Sequence, residues 1–441
     1  MHARKLLFAT LLFLISIPSH SAKEQGQIQI FPKATEETIL AITDVQPLRS
    51  EQAAALAPAL QTLNEVLWAD LKFAGYFTIP GKSFYPSQPI VRPEDINYDA
   101  WATLPFRVSF LSAGTIQLDG GILRAEMRIY DMKQRKDVFG LGIRADSDQV
   151  RSIAHRWADE IVEKLTAGAS RGIASTKIAY TSRRGAPKEI YVMDYDGHDQ
   201  RAFTRNGSLN LFPKWSPDNS LLSFISDRAK TWQINIYSYL DGSRLPFPTF
   251  KVFVSTPAIS PDGKRIAFKM GDNIILSNLD GSNQKNITNN TSINTSPTWS
   301  PNGDRIAFIS QRDGTPQLYL CDAEGANLRK IVKEGGEADS PAWSPDGRWI
   351  AFHWKPRLAE NFDVYLAEVS TGQIRQLTAP PGSNEYPSWA PDGRHIAFQS
   401  NRTGSYQIWI MPAETNTRDM RMITSQGVNG SPSWGGYPKR D

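Results

Sequence analysis

Residues 340–352 have the sequence Ser-Pro-Ala-Trp-Ser-Pro-Asp-Gly-Arg-Trp-Ile-Ala-Phe, and related stretches recur through the second half of the chain. Proline donates no backbone hydrogen bond and so suits the first residue of a strand, while tryptophan fills space between sheets. Ser-Pro-Asp-Gly has the composition of a tight turn, with proline pre-set at its second position. Ile-Ala-Phe is a short apolar run, typical of a strand covered on both faces. The stretch therefore predicts an inner strand, a turn and a buried second strand.

The second half of the chain repeats this unit. Triplets of the Ile-Ala-Phe kind begin at Ile178, Leu222, Ile266, Ile306, Ile350 and Ile396, at spacings of 44, 44, 40, 44 and 46 residues. Pro-x-Trp or Pro-x-Ile motifs begin at Pro213, Pro257, Pro297, Pro341, Pro387 and Pro432. A period of about 40 to 50 residues is typical of a repeat array, and four strands per unit indicate propeller blades.

The offset between motif and triplet predicts how the array ends. Each of the first five motifs lies nine residues before a triplet, whereas the first triplet has no motif before it and the last motif has no triplet after it. Pairing the last motif with the first triplet completes both. We therefore expect a six-bladed β-propeller over residues 173–441, closed by the C-terminal strand.

Residues 23–168 lack the repeat and predict a separate N-terminal α/β domain. One helix should run from Ser50, as its N-cap, to about Gly75, with the apolar face Leu56, Leu60, Leu63, Leu67 and Leu71. A second, capped by Asp146 or Ser147, has the apolar face Val150, Ile153, Trp157, Ile161 and Leu165. Between them, residues 116–118, 123–130 and 138–143 predict a hairpin and a third strand, with a turn at 119–121. The two helices packed on these antiparallel strands would form an α/β layer. Residues 168–172 are the expected junction with the propeller.

The first 22 residues predict a secretory signal peptide. Arg4 and Lys5 precede an apolar run over residues 6–17 and then small residues around Ser21 and Ala22. The alternative, a membrane anchor, is disfavoured because about 20 apolar residues are needed to span a bilayer. Removal of the signal reduces the net charge from +4 to +2, so we expect no nucleic-acid partner. The single cysteine, Cys321, lies in an apolar strand segment and is interpreted as a core residue.

Motifs for enzyme chemistry are missing from the sequence. There is no G-x-S-x-G, no G-x-x-x-x-G-K-[ST] and no H-E-x-x-H motif. The four histidines after the signal, His155, His198, His353 and His395, have no ligand-like spacing, and packing is preferred to metal binding. Paired acids such as Asp194 and Asp196 resemble calcium ligands, but at a hairpin turn they are first of all turn formers. The sequence therefore predicts no catalytic residues, metal, cofactor or small-molecule substrate.

The segment before the α/β domain contains an isolated alternation, Gln27-Ile28-Gln29-Ile30-Phe31. Such a strand either lies at the edge of its own sheet or adds to a sheet of another protein. The residues alone favour the edge strand.

The signal peptide, the α/β domain and the six repeats ending in Ser431-Pro432-Ser433-Trp434 together resemble the TolB family of the periplasmic Tol-Pal system. The resemblance covers the whole chain after the signal. It implies a non-enzymatic, monomeric adaptor that binds the peptidoglycan-associated lipoprotein Pal and the inner-membrane protein TolA. It also implies a role in outer-membrane integrity and in constriction during cell division, with other outer-membrane proteins as candidate further partners.

The resemblance also implies the binding surfaces. The Pal surface of the family lies at the mouth of the propeller channel, and the residues just before each motif enter the inner strands at one rim. The predicted Pal-binding residues are Phe212, Phe253, Ser255, Thr256, Thr295, Ser296, Asp339, Ser340, Glu385, Tyr386 and Ser431, with Leu211 and Gly430 beside them. Family positions that affect Pal binding imply Thr256, Thr295 and Phe253 in particular. The family contacts TolA through its N-terminus, which reverses the edge-strand preference for residues 23–33 and implies Lys23, Gln27, Ile28, Gln29, Ile30 and Phe31.

Two other classes of function stay open at this point. One is a hydrolase or lyase acting in the propeller channel, or a carbohydrate-binding module of the cell envelope. The other is a detached peptidase propeller, which would leave the N-terminal domain unexplained. An enzyme would need acids or histidines converging on the channel from several inner strands.

Overall fold

The computed structural model describes residues 38–185, 187–333, 335–356, 361–413 and 419–438. The predicted signal peptide and the predicted TolA-binding segment, residues 23–33, lie outside these ranges. Among the described residues, no helix is both long and apolar enough to cross a membrane.

The N-terminal part is one sheet with helices packed on it. Its strands are β1 (Leu40–Ile42), β2 (Gln46–Pro47), β3 (Phe110–Asp119), β4 (Ile122–Asp131) and β5 (Lys136–Asp146), and its helices are α1 (Ala53–Ala74), α2 (Tyr98–Ala102) and α3 (Val150–Leu165). Short 3-10 turns cover Ser50–Gln52, Lys82–Phe84 and Pro93–Asp95. The strand order is β1-β3-β4-β5, with β1 and β2 parallel to β3 and the other pairs antiparallel. Helices α1 and α3 pack on each other and contact this sheet.

The predicted apolar faces of the two long helices are buried in the structure. All five predicted residues of α3 and four of the five in α1 are buried, with Leu60 half-buried. The predicted caps are wrong. Ser50 begins a 3-10 turn, Asp146 ends β5, and Gln52 and Gln149 precede the helices without a side-chain cap. The predicted hairpin is present, and Gly120 and Gly121 turn it with φ of 59° and 87°, the left-handed conformations that a two-residue turn requires.

The rest of the described chain forms six four-stranded antiparallel sheets. The first contains β29 (Val428–Trp434), β6 (Lys177–Arg183), β7 (Glu189–Asp194) and β8 (Arg201–Ala202), and the second β9 (Asn210–Trp215), β10 (Leu221–Ser226), β11 (Gln233–Ser238) and β12 (Arg244–Leu245). The third contains β13 (Val254–Ile259), β14 (Arg265–Met270), β15 (Asn273–Asn278) and β16 (Lys285–Asn286), and the fourth β17 (Asn294–Trp299), β18 (Arg305–Ser310), β19 (Gln317–Asp322) and β20 (Arg329–Lys330). The fifth contains β21 (Gly336–Trp343), β22 (Trp349–Pro356), β23 (Asp363–Glu368) and β24 (Ile374–Gln376), and the sixth β25 (Asn384–Trp389), β26 (His395–Ser400), β27 (Gln407–Pro412) and β28 (Arg421–Met422).

The second strand of each sheet forms its core. Every residue of the six Ile-Ala-Phe-like triplets is at most 1% exposed. Both faces of these strands are covered, which explains why the triplets are apolar throughout, apart from the buried Ser223, and do not alternate. Cys321 lies in β19 and is also buried, as predicted.

Strand β29, from the end of the chain, pairs with β6, from the beginning of the repeats. Trp434 lies opposite Ile178 and Ser433 opposite Ala179. Trp434 Nε1 donates a 2.8 Å hydrogen bond to Thr176 Oγ1, and Ser433 Oγ accepts one of 3.1 Å from the backbone N of Trp215 in the second sheet. The terminal motif is therefore bonded to the strands on both sides of it.

Helix α1 ends against the sixth sheet. His395 Nε2 lies 2.9 Å from the carbonyl oxygen of Phe73, and His395 Nδ1 lies 2.7 Å from Asp392 Oδ2. The guanidinium carbon of Arg394 lies 4.2 Å from the ring centroid of Tyr76. Asp392 belongs to the turn between β25 and β26, so the N-terminal domain contacts the end of this sheet that is opposite the start of β25.

A buried polar group joins both helices to the first sheet. Asp70 Oδ1 accepts a 2.6 Å hydrogen bond from the hydroxyl of Tyr195, and Asp70 Oδ2 lies 2.7 Å from His155 Nδ1. The ring of Tyr195 stacks on that of Trp434 at a centroid distance of 6.4 Å. Trp434 therefore contacts Thr176, which lies just before β6, and the ring of Tyr195. Because Tyr195 bonds to Asp70 of α1, Trp434 is linked to the helices of the α/β domain.

Replacing Trp434 with alanine should destabilise the whole described unit, because it removes a 5%-exposed indole that packs and hydrogen-bonds between distant segments. We expect a loss of about 3–5 kcal/mol in the free energy of unfolding, measured by urea titration with far-UV circular dichroism. The control is Trp349→Ala, since Trp349 is only half-buried. A loss for Trp434→Ala no larger than that of the control would contradict the role assigned to Trp434.

Candidate functional site

The residues that precede the six motif prolines converge on one cavity. One such residue comes from each sheet, and five of the six motif prolines and Lys214 also line the cavity. We call these six residues the channel mouth: Phe212, Thr256, Ser296, Ser340, Tyr386 and Ser431. All six belong to the predicted rim, so the structure brings together six of the eleven predicted Pal-binding residues around one cavity.

The backbone is strained in the same way at every position of the channel mouth. The φ angles of the six residues lie between 46° and 55°, although none is glycine. Each coincides with a register shift between the inner strand and the strand beside it. A left-handed conformation costs a residue with a Cβ about 1–2 kcal/mol, so six of them in one ring are a recurring cost. Such strain persists where it positions side chains at functional sites, and here it turns six side chains towards the channel.

The predicted rim residues one position earlier support the mouth and do not line the cavity. Asp339 Oδ1 accepts hydrogen bonds from Ser296 Oγ at 2.7 Å and from the backbone N of Ser340 at 2.6 Å. Glu385 accepts hydrogen bonds from Gln399 Nε2 at 3.0 Å and Tyr406 OH at 2.7 Å. These carboxylates are therefore engaged with neighbouring groups.

The remaining predicted rim residues, Ser255, Thr295 and Phe253, differ from one another in their exposure to solvent. Ser255 is buried in β13, opposite Lys269, and Thr295 is half-buried in β17. Phe253 precedes β13 and is 47% exposed, with its ring 6.5 Å from that of Trp232. The neighbouring Val252 is 51% exposed, so an apolar ridge stands beside the mouth.

An aromatic pair lies across part of the channel mouth. The rings of Phe212, from the second sheet, and Tyr386, from the sixth, stack at a centroid distance of 6.0 Å and an angle of 23°. Tyr386 also contacts the ring of His353 at 5.3 Å. Burial raises the pKa of Tyr386 well above its usual value, so its hydroxyl stays protonated at neutral pH.

Two residues that the sequence did not single out hold the mouth loops in place. His353 Nδ1 accepts a 3.2 Å hydrogen bond from the backbone N of Tyr386, and Gln399 Oε1 accepts one of 2.8 Å from that of Ser431. Each lies twelve residues after a motif proline and bonds to the mouth residue of the following sheet. That shared offset is a signal that could have identified both residues.

Acidic and imidazole groups meet at the mouth, which sequence reasoning did not anticipate. His353 faces Asp339 across the β21–β22 pair. Burial lowers the pKa of His353 despite the opposing charges of Asp339 and Glu385, so the ring is neutral and accepts the Tyr386 N–H. Because the His353 Nδ1 lone pair and both carboxylates already accept hydrogen bonds, the group positions the loop and is poorly placed for proton transfer.

A second cluster, away from the mouth, has the composition of a cation site. One ligand atom from each of Asp70, His155 and Asp196 lies within 4.8 Å of the others. Burial lowers the pKa of His155, but the carboxylates of Asp70 and Asp196 outweigh it and raise the pKa. The guanidinium of Arg151 already pairs with Asp196, and Tyr195 donates to Asp70. The arrangement therefore works as a link between the two domains, which a search for local ligand spacing could not reveal.

Comparisons with known proteins agree with the domain order. A family model described as the TolB beta propeller domain matches residues 162–357 and 329–439, and one described as the TolB amino-terminal domain matches residues 26–138. The chain is 28% identical over 265 residues to a Tol-Pal system protein TolB of Bordetella pertussis, covering 59% of each chain. It is 30% identical over 214 residues to that of Geobacter metallireducens, covering 48% of each. The alignments thus span about half the length of these relatives.

A solved structure shares the fold. The crystal structure of TolB from Acinetobacter baumannii superimposes with a TM-score of 0.76 and 23% sequence identity. The match covers 91% of this chain and 97% of that one. An N-terminal α/β domain followed by a β-propeller is therefore the architecture of this chain.

Replacing Thr256 with glycine should stabilise the protein. Thr256 has a φ of 46°, and its Oγ1 is buried without a hydrogen-bond partner among the described residues. Glycine removes both the backbone strain and the unpaired hydroxyl, and this gain should outweigh the extra conformational entropy that glycine gives the unfolded chain. We expect the free energy of unfolding to rise by about 1 kcal/mol in a urea titration. The matched control is Thr298→Gly in the regular part of β17, which should lower it by about 0.5–1 kcal/mol. Equal destabilisation by both changes would show that the mouth conformation is not strained.

Proposed function

Because the chain belongs to the TolB family, with both family domains matched, we propose that it is a non-enzymatic adaptor of the Tol-Pal system in the periplasm. The observation that carries the proposal is the convergence of one pre-proline residue from every sheet on a single channel mouth. A strained, mostly uncharged mouth suits binding of a protein element better than catalysis.

We also propose that the six sheets are the blades of a closed ring. The inner strands contact one another in the order β9, β13, β17, β21, β25 and β29, and β29 contacts β9. The pairing of β29 with β6 gives the first sheet its inner strand and covers an edge of β6 that would otherwise be unpaired, and unpaired edges invite association with other chains. On this reading residues 23–168 are the α/β domain and residues 173–441 the propeller.

The lipoprotein Pal is the partner we assign to the channel mouth. The mouth lies at the end of the inner strands where β25 begins, and the N-terminal domain contacts the opposite end of the sixth sheet. The apolar ridge of Val252 and Phe253 and the aromatic pair Phe212 and Tyr386 supply the large side chains that dominate binding energy at protein interfaces. Asp339 holds the neighbouring mouth residues Ser296 and Ser340, and His353 holds the backbone of Tyr386.

An enzyme acting in the channel is the second candidate, and the group of His353, Asp339 and Glu385 is the observation that favours it. Their hydrogen bonds to the mouth loops favour the adaptor instead, because each polar group already has a structural partner. A carbohydrate-binding module has less support, since the aromatic rings of the mouth stack on each other and not on an open platform.

TolA is the partner we assign to residues 23–33, with the strand-like alternation of Ile28 and Ile30 added to a sheet of TolA. Pal at one surface and TolA at the other would connect the outer and inner membranes. The adaptor would thereby support outer-membrane integrity and constriction during division.

Replacing Tyr386 with alanine should weaken Pal binding. The change removes half of the aromatic pair, and we expect the dissociation constant to rise about 30-fold, roughly 2 kcal/mol, in calorimetric titrations with the soluble domain of Pal. The control is Tyr437→Ala, the same change beyond the other end of β29. The proposed site is wrong if wild-type protein binds Pal and Tyr386→Ala binds equally tightly.

Deleting residues 23–31 should abolish TolA binding and leave Pal binding unchanged or stronger. The physical reason is that the deletion removes the strand-like segment without touching the described domains. Surface-plasmon measurements with the periplasmic domain of TolA test this, with Ile28→Asp and Ile30→Asp as milder variants. Unchanged affinity for TolA would refute the assignment of this segment.

A further inference from the structure

One residue of the channel wall differs in kind from its counterparts. The middle residue of the motif is Lys214 in the second sheet, and the equivalent residues of the other sheets are small: Ala258, Thr298, Ala342, Ser388 and Ser433. Lys214 lines the same cavity as the six mouth residues. A flexible, charged side chain therefore occupies a ring of otherwise small positions.

The ammonium group of Lys214 lacks a carboxylate partner among the described residues. Burial alone lowers its pKa, to about 8, and no neighbouring charge or hydrogen bond contributes. At neutral pH the group is still mostly protonated. The side chain is half-buried in the channel wall, and a cation shielded from water is costly unless a counter-charge pairs with it.

A second unpaired donor comes from the neighbouring sheet. Thr256 Oγ1 is buried and has no hydrogen-bond partner among the described residues, and Thr256 lines the same cavity. Thr256 is also one of the strained mouth residues, which fixes the position of its side chain. Two residues with unpaired donors, one charged and one neutral, therefore line the same cavity.

The acidic groups of the mouth lie on other sheets. The charges of Asp339 and Glu385, in the fifth and sixth sheets, raise the pKa values of His353 and Tyr386 against or along with the effect of burial. They make no contribution to the pKa of Lys214. Asp339 accepts hydrogen bonds from its own sheet and from Ser296 of the fourth sheet, and Glu385 accepts them within its own sheet. The mouth is therefore polarised, with the ammonium group of Lys214 on the side of the second and third sheets and the two carboxylates in the fifth and sixth sheets.

We propose that the channel takes an acidic side chain of the protein partner, whose carboxylate pairs with Lys214 Nζ and accepts a hydrogen bond from Thr256 Oγ1. The proposal rests on the proposed function, since the partner that inserts this side chain is the one assigned to the mouth. Charge complementarity selects an aspartate or glutamate, and a lysine or arginine would be repelled at this side. The polarity of the mouth would also fix the rotational orientation of the partner on the sixfold scaffold, which has nearly equivalent loops.

Lys214→Met tests the proposal, because methionine keeps the length of the side chain and removes the charge. In calorimetric titrations with the soluble domain of Pal, we expect affinity to fall about 10- to 100-fold. The thermal unfolding midpoint should rise, because the change removes a half-buried charge that lacks a counter-charge among the described residues. Lys285→Met is the matched control, since Lys285 lies on the outer strand β16 and pairs with Glu324, and it should leave Pal affinity within about twofold.

A partner scan completes the test. Each aspartate and glutamate on the Pal surface is changed to its amide, and one of these changes should weaken wild-type binding but have no further effect on Lys214→Met. If wild-type protein binds Pal and Lys214→Met binds it equally well, the carboxylate pairing is wrong and the adaptor function stands. Loss of affinity in Lys214→Met that no partner amide reproduces would mean that the lysine serves only the fold or an inorganic anion, which also overturns the pairing. Failure of the wild type to bind Pal would instead refute the proposed function and this pairing with it.

Discussion

The structure depends on the pairing of β29 with β6, which joins Trp434 to Thr176 across 258 residues of sequence. Such a contact costs loop-closure entropy, and the cost is offset by backbone pairing, an almost fully buried indole and bonds to the second sheet. The same indole stacks on Tyr195, which donates to Asp70 of α1. The end of the chain, the junction and the N-terminal domain are therefore held by one continuous buried group.

At the other end of the inner strands, the channel mouth is built from residues with a strained backbone. There the backbone adopts left-handed conformations at six residues that have a Cβ, and proline follows each of them. The strain is maintained because the sheets on either side fix these residues, with His353 and Gln399 bonding the loop of the next sheet. The six sheets thus present a strained, preorganised set of side chains around one cavity, and a preorganised surface loses less entropy when a partner binds.

Sequence patterns predicted elements whose cause is local or periodic. The apolar faces of α1 and α3, the Gly120-Gly121 turn and the buried triplets all follow from spacing that burial enforces. The helix caps were wrong because Ser50 and Asp146 satisfy other backbone geometry, a 3-10 turn and the end of β5, before each helix begins. His155 could not be interpreted from spacing, because its partner Asp70 is 85 residues away on another helix.

By itself, the sequence determined the repeat, its six inner strands and the residues that precede each proline, because these follow from periodicity and from the chemistry of proline, glycine and apolar triplets. The tertiary structure alone decided what those residues do. It separated the mouth residues that line the cavity from the carboxylates that hold them, and it brought His353 and Gln399 to the loops of neighbouring sheets. It also placed Lys214 in the channel wall without a counter-charge from the part of the chain that the structure describes. Burial and pairing of charges depend on groups from distant parts of the chain, so only the folded molecule defines them.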